Sequence, residues 1–198
     1  MSELSAVQRA FSRAAGRYRA AAGLQRVVSD HLLDLLPDVE ARRVLDLGCG
    51  IGFASGALAA RHPGAQVIAA DFSPGMLGAH EAASCCLRVC ADAHRLPFAD
   101  AGIDLIFSSL MLQWCDLPRA LSECARALRP EGVICFSTVL NGSLCEIDAA
   151  FAAVDHHRHT VAFADERRLH EALASAGLRA DRIERATRVE HFSDARSL

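Results

Sequence analysis

The segment Val44-Leu45-Asp46-Leu47-Gly48-Cys49-Gly50-Ile51-Gly52 constrains this chain more than any other. An apolar run carrying an acid is followed by three glycines at alternate positions, then by an Ala-rich stretch reaching His62. Glycine has no Cβ, so the backbone there can turn sharply and let a ligand come close. A helix start beyond such a turn offers unpaired N–H groups. In open α/β sheets, ligands bind outside the carboxyl ends of the strands. The segment therefore reads as a ligand platform at the end of a first strand, Arg43–Leu47.

From there strands and helices alternate. Gln66–Asp71 reads as a strand after the Pro63-Gly64 turn, and Ser73-Pro74 opens a helix with Ser73 as N-cap. Strands are expected over 86–90, Ile103–Ser109 and 133–140. Helices are expected over 117–128, ended by Pro130, over 143–154, and over 166–176, stopped by Gly177. Residues 179–192 leave room for a last strand. Ahead of the alternation, 5–35 reads as one helix. Phe11, Ala15, Tyr18, Ala22 and Gln25 fall at steps of three or four and share a face. Strands separated by helices imply parallel pairing through right-handed crossovers. Near-continuous apolar strands fit a sheet covered on both faces. The expected fold is a doubly wound α/β sandwich: residues 1–36 as a helical extension, 37–198 as the ligand-binding domain. A length of 198 residues fits one domain.

Composition removes several functions. All 21 basic residues are arginine, and the missing lysine excludes Schiff-base catalysis and a Walker P-loop. A net charge of −3 gives nucleic acid no electrostatic foothold. No apolar run approaches the ~18–20 residues that span a bilayer, so no membrane partner is expected. The eight cysteines follow no secretory signal, and they read as reduced, buried thiols of a cytoplasmic protein. Cys85, Cys86 and Cys90 make no CxxC pair and meet no matching Cys/His pair, so no metal is expected.

The dinucleotide pattern GxGxxG fails, because its third glycine falls on Phe53 or Ser55. A looser spacing through Gly50, Gly52 and Gly56 survives weakly. Asp46, Gly48, Gly50 and Gly52 fit Asp-x-Gly-x-Gly-x-Gly without adjustment, which is the signature of class I S-adenosylmethionine methyltransferases. Asp71, 19 residues after Gly52, can accept hydrogen bonds from both ribose hydroxyls, though alone it would read as a cap or turn residue. In Ala91-Asp92-Ala93, Asp92 can accept from an adenine amino group and the Ala93 N–H can donate to a ring nitrogen. Leu96-Pro97-Phe98 follows, as it does in the same enzymes. Phe72 can pack on the adenine face or in the core. The backbone at Ser108 would lie below the methionine part of the cofactor.

The order of these pieces resembles a class I methyltransferase over residues 40–140, which implies a Rossmann-like sheet. A narrower likeness lies outside that core. Phe11-Ser12-Arg13-Ala14-Ala15 with Tyr18 and Leu24-Gln25 resembles the malonyl-acyl-carrier-protein O-methyltransferases of biotin synthesis. So do Leu112-Gln113-Trp114, Phe136-Ser137-Thr138 with Gly142-Ser143-Leu144, and Val154-Asp155 with His159 and Phe163. The resemblance implies S-adenosyl-L-methionine as cofactor, malonyl-loaded acyl carrier protein as partner, and in-line methyl transfer to the free malonyl carboxylate. It implies Tyr18 and His159 as catalytic residues, and Gln113, Trp114 and Arg158 at the substrate. A carboxylate is already ionised near neutral pH, so no general base is needed. Arg9, Arg13, Arg17, Arg19 and Arg26, or Arg158 with Arg167 and Arg168, offer a basic patch to an acidic carrier. Val161-Ala162 stands where the family carries Asn-Arg, and Leu198 falls roughly fifty residues short of the family's length. Methyl transfer to another small molecule, or cofactor binding without turnover, are the alternative readings.

Overall fold

The fold is that of a computed structural model, which describes residues 3–81, 85–152 and 160–191. Strands β1 (Arg43–Leu47), β2 (Gln66–Asp71), β3 (Leu87–Cys90), β4 (Ile103–Ser109) and β5 (Leu128–Ser137) form one sheet in the order β3-β2-β1-β4-β5. Every pairing is parallel. The order reverses between β1 and β4, and a crevice is expected at their carboxyl ends.

Helices cover both faces, and the period of two along the strands explains the layers. Val44, Val67, Leu105 and Phe107 point one way and pack with Leu32 of α2 (Gly23–Leu35), with Leu36 beyond its end, and with Leu58 of α3 (Ser55–Arg61). Leu45, Leu47, Ile68 and Ile106 point the other way, onto Leu121 and Cys124 of α5 (Leu117–Ala127) and Leu169 and Leu173 of α7 (Glu166–Ser175). With both faces covered, each central strand position is apolar whichever way it points. Caps set the helix starts. Ser73 accepts the Met76 N–H to open α4 (Pro74–Gly78), Asp116 accepts that of Arg119 for α5, and Asp165 that of Arg168 for α7. Gly177, at φ 71°, ends α7 in the expected left-handed cap.

The sheet and its helices match the expected doubly wound α/β class, and four local expectations are corrected. The single helix over 5–35 is two, α1 (Glu3–Ala21) and α2, because Ala22 at φ −96° and ψ 36° leaves the helical region between them. The bend frees α1 from the α2 layer. β5 begins at Leu128, well before 133. It is an edge strand, where the missing N–H of Pro130 is tolerated, and Glu131 at φ 62° sits in a register shift. No strand forms over 178–191. Arg179, Arg182, Arg185 and Arg188 leave that stretch too little apolar surface, and Val189 is 72% exposed. Finally, only Cys49 and Cys124 are buried, whereas Cys85, Cys90 and Cys145 are exposed. Cys90 ends β3, the other edge strand, and Cys145 starts α6 (Cys145–Ala152), which buries no residue.

Candidate active site

β1 delivers the chain into a turn whose glycines all have positive φ: 73° at Gly48, 55° at Gly50 and 89° at Gly52. Their surroundings differ. A Cβ on Gly48 would stand 2.3 Å from Met111 Cγ, and one on Gly52 would stand 2.6 Å from the His80 ring. A Cβ on Gly50 would meet nothing nearer than Tyr18 Cε1 at 4.0 Å. Gly48 and Gly52 therefore serve packing, and Gly50 keeps a gap between the turn and α1. The Gly48 and Cys49 N–H groups both donate to the Ala70 carbonyl, at 2.8 and 3.1 Å, and hook the turn to the end of β2.

Asp71 closes β2 beside this turn. Its Oδ2 accepts the Gly50 N–H at 2.9 Å and its Oδ1 accepts the Ser73 N–H at 2.7 Å. Each oxygen keeps a further lone pair, so two acceptors remain side by side, the arrangement that suits the vicinal hydroxyls of a ribose. Burial raises the carboxyl above its ordinary range, and the two N–H bonds oppose that rise.

Helix α1 roofs the turn. Gln8 Nε2 donates to the Phe72 carbonyl at 2.8 Å, the Ser12 and Ser73 hydroxyls lie 2.8 Å apart, and Arg19 pairs with Glu81. Phe11 meets Trp114 edge-on at 5.4 Å and Tyr18 at 6.4 Å, and Tyr18 stacks on Phe53 at 6.4 Å. These four rings run across the turn from the end of β4 to the start of α3. Burial, then the Asp71 charge, raises the Tyr18 phenol, so Tyr18 stays protonated and can donate a hydrogen bond.

Two predicted residues face inward. Asp46 is 2% exposed and accepts the Ser55 hydroxyl at 2.5 Å, and Ser55 lies 3.0 Å from His80 Nε2. Burial pushes the Asp46 carboxyl up to about 7, against the Ser55 bond, with the Asp71 charge adding to the rise. Ser108 is buried and donates to the Leu47 carbonyl at 2.8 Å, so it offers the site its backbone. Phe72 is half-buried beside Asp71. Asp92 lies just past β3, with its Oδ1 on His94, and the buried Ala93 has an N–H that meets no protein acceptor among the described residues. Gln113 donates to the Leu110 carbonyl at 2.7 Å and keeps a buried Oε1 without a partner among the described residues. Trp114 is 39% exposed. His159 and Arg158 lie outside the described residues.

Spacing along the chain puts Gly50, Asp71 and Asp92 at one end of the sheet, and Tyr18, which only the family resemblance singles out, lies over Gly50 there. It does not reveal Phe53, Ser55, His80 or His94, whose partners come from other elements. Among the described residues, no group of three or more His, Cys, Asp or Glu could hold a metal ion. No helix there is long and apolar enough to cross a membrane. The open side of Gly50, the two unused acceptor directions on Asp71 and the unpartnered Ala93 N–H fit a nucleoside with a small amino-acid tail. A pyrophosphate would need more N–H donors.

Residues 45–136 match a family described as a methyltransferase domain. The chain is 42% identical over 192 residues to the malonyl-[acyl-carrier protein] O-methyltransferase of Dechloromonas aromatica (strain RCB), covering 97% of this chain and 72% of that protein. It is 39% identical over 188 residues to the enzyme of the same name from Herminiimonas arsenicoxydans, covering 95% and 72%. A methyltransferase of Haloferax volcanii, solved in complex with the Trm112 methyltransferase activator, superposes at TM-score 0.68 and 25% identity, over 84% of this chain and 75% of that one. The 3-2-1-4-5 sheet, the glycine turn and the acid ending β2 define a class I S-adenosylmethionine-dependent methyltransferase. Within that class, the chain belongs to the malonyl-[acyl-carrier protein] O-methyltransferase family, spanning 72% of the length of the two relatives above.

Proposed function

We propose that this chain methylates the free carboxylate of a malonyl group carried on acyl carrier protein, an early step of biotin synthesis in the cytoplasm. The observation carrying this reading is the 42% identity to a protein of that name over 97% of the chain. S-adenosyl-L-methionine, when bound, supplies an electrophilic methyl group on a sulfonium. The Gly48–Gly52 turn and Asp71 hold its sugar and tail, Asp92 and Ala93 its base, and Phe72 flanks the nucleoside. Asp46 and Ser108 hold the turn from inside.

The substrate oxygen is ionised at neutral pH, so no residue has to remove a proton from it. What remains is alignment and exclusion of water. Tyr18, kept protonated, donates to the carboxylate and orients it. Gln113 and Trp114 line the substrate side, and His159 and Arg158 complete the grip on the malonyl group. The extension over residues 1–36 forms the cover.

For the carrier, the outer face of α1 is the better of the two basic patches. Arg9, Arg13 and Arg17 recur every four residues, are exposed, and have no ion pair among the described residues. Like charges at that spacing cost the helix ~0.2–0.5 kcal/mol per pair, and an acidic partner would relieve that cost. Arg167, in the rival patch, already pairs with Glu171.

Growth without biotin of a strain lacking the family enzyme, supplied with this chain, tests the reading in cells. Methyl transfer to malonyl carrier protein compared with free dicarboxylic acids tests it in vitro. Transfer to the free acids alone would assign the chain to another substrate.

A further inference from the structure

His94 stands outside every role assigned above, yet it is 6% exposed and bonded at both ring nitrogens. Its Nε2 lies 2.8 Å from the Asp116 backbone nitrogen. An amide N–H can only donate, so Nε2 carries a lone pair and the ring proton sits on Nδ1. Nδ1 is 2.7 Å from Asp92 Oδ1 and therefore donates to it. The His94 N–H donates to the same oxygen at 2.9 Å. Oδ1 is thus occupied twice, and Oδ2 is the acceptor Asp92 keeps on a side chain that is 39% exposed. The other end of the ring reaches the N-cap of α5, Asp116, which only Cys115 separates from the 3-10 turn Leu112–Trp114 that carries Gln113 and Trp114.

We propose that His94 is a positioning residue for base recognition: it locks the Asp92 carboxylate so that Oδ2 is its free acceptor, and it ties that carboxylate to the start of α5 beside the substrate turn. The inference rests on Asp92 being the acid that reads the adenine amino group. An unlocked Asp92 would rotate, and its preference for a donor on the base would weaken. The Asx-type bond from the His94 N–H alone leaves the carboxylate plane free to turn, and the ring bond removes that freedom.

The test is calorimetric binding of S-adenosylhomocysteine and of S-inosylhomocysteine, whose base presents an oxygen in place of the amino group. Wild type should prefer the adenosine form. His94→Asn keeps an N–H donor at the Nδ1 place and should keep most of that preference. His94→Gln reaches toward Asp116 but has no donor at the Nδ1 place. Its affinity for S-adenosylhomocysteine should fall about tenfold with little change for the inosine form. Melting temperatures confirm that both variants are folded. Loss of both ligands in proportion, unchanged preference in His94→Gln, or equal loss of preference in both variants overturns the role of His94 and leaves the function proposed above intact. A wild type that binds both nucleosides equally overturns the assignment of Asp92, and the role of His94 with it.

Discussion

Asp71 Oδ2 accepts the Gly50 N–H at 2.9 Å, so the acid that ends β2 also fixes the glycine turn that follows β1. Residues 21 positions apart become one structure. The carboxylate shapes the turn and presents its remaining acceptors over the gap that Gly50 leaves. The parallel register makes this possible, since Leu47 lies opposite Ala70 and brings both strand ends to one level.

The glycines of the turn should separate folding from binding. Gly48→Ala drives a Cβ to 2.3 Å from Met111 Cγ at a positive φ. Strain and overpacking together should cost about 3 kcal/mol of stability by chemical denaturation. Gly50→Ala has room and should cost only about 1 kcal/mol, yet weaken S-adenosylhomocysteine about tenfold or more by filling the gap. The reverse ranking would mean that Gly50 does not face the ligand.

Asp46 should set a pH dependence of stability. Its folded value lies at about 7, above the ordinary 3.8. Between those values the folded chain holds more protons than the unfolded chain, so this group's stabilisation is complete at low pH and declines as pH rises to about 7. Asp46→Asn removes that decline. Urea unfolding at about pH 5 and about pH 8 should show a smaller loss of stability with pH in the variant. Equal losses would count against a buried, charge-poor Asp46.

Tyr18→Phe keeps the stacking on Phe53 and removes the hydroxyl. Turnover on malonyl carrier protein should fall about tenfold, with S-adenosylhomocysteine affinity within about twofold of wild type. A change in affinity alone would make Tyr18 a cofactor contact.

Replacing Arg9, Arg13 and Arg17 together by Gln should raise KM for malonyl carrier protein about tenfold and flatten its dependence on salt, with kcat unchanged. An unaltered KM would move carrier docking to another face.

The framework of this site was readable from spacing because strands, glycines and strand-end acids obey local rules. Gly48–Gly52, Asp71 and Asp92 stand at one sheet end because each ends or follows a strand. What local rules hide is tertiary. The periodic face of 5–35 continues across Ala22, so nothing along the chain announces that α1 turns away to roof the site. Pro130 looks like a boundary, yet on an edge strand it costs no ladder bond. Ser55 and His80 are 25 residues apart, and His94 and the Asp116 amide 22, and each pair meets only after the sheet has formed. Ser108 reads as a site residue through its backbone, and what the sequence leaves out is that its hydroxyl turns inward to the Leu47 carbonyl, across to the neighbouring strand.

Calorimetric titration of S-adenosylhomocysteine into wild type and into Asp71→Ala bears on all of this at once. Loss of the carboxylate should cost about 3 kcal/mol, a weakening of about a hundredfold, because the turn loses its N–H acceptor and the sugar both of its own. Affinity within about threefold of wild type, in a variant that still melts cooperatively, would show that the ligand is held elsewhere.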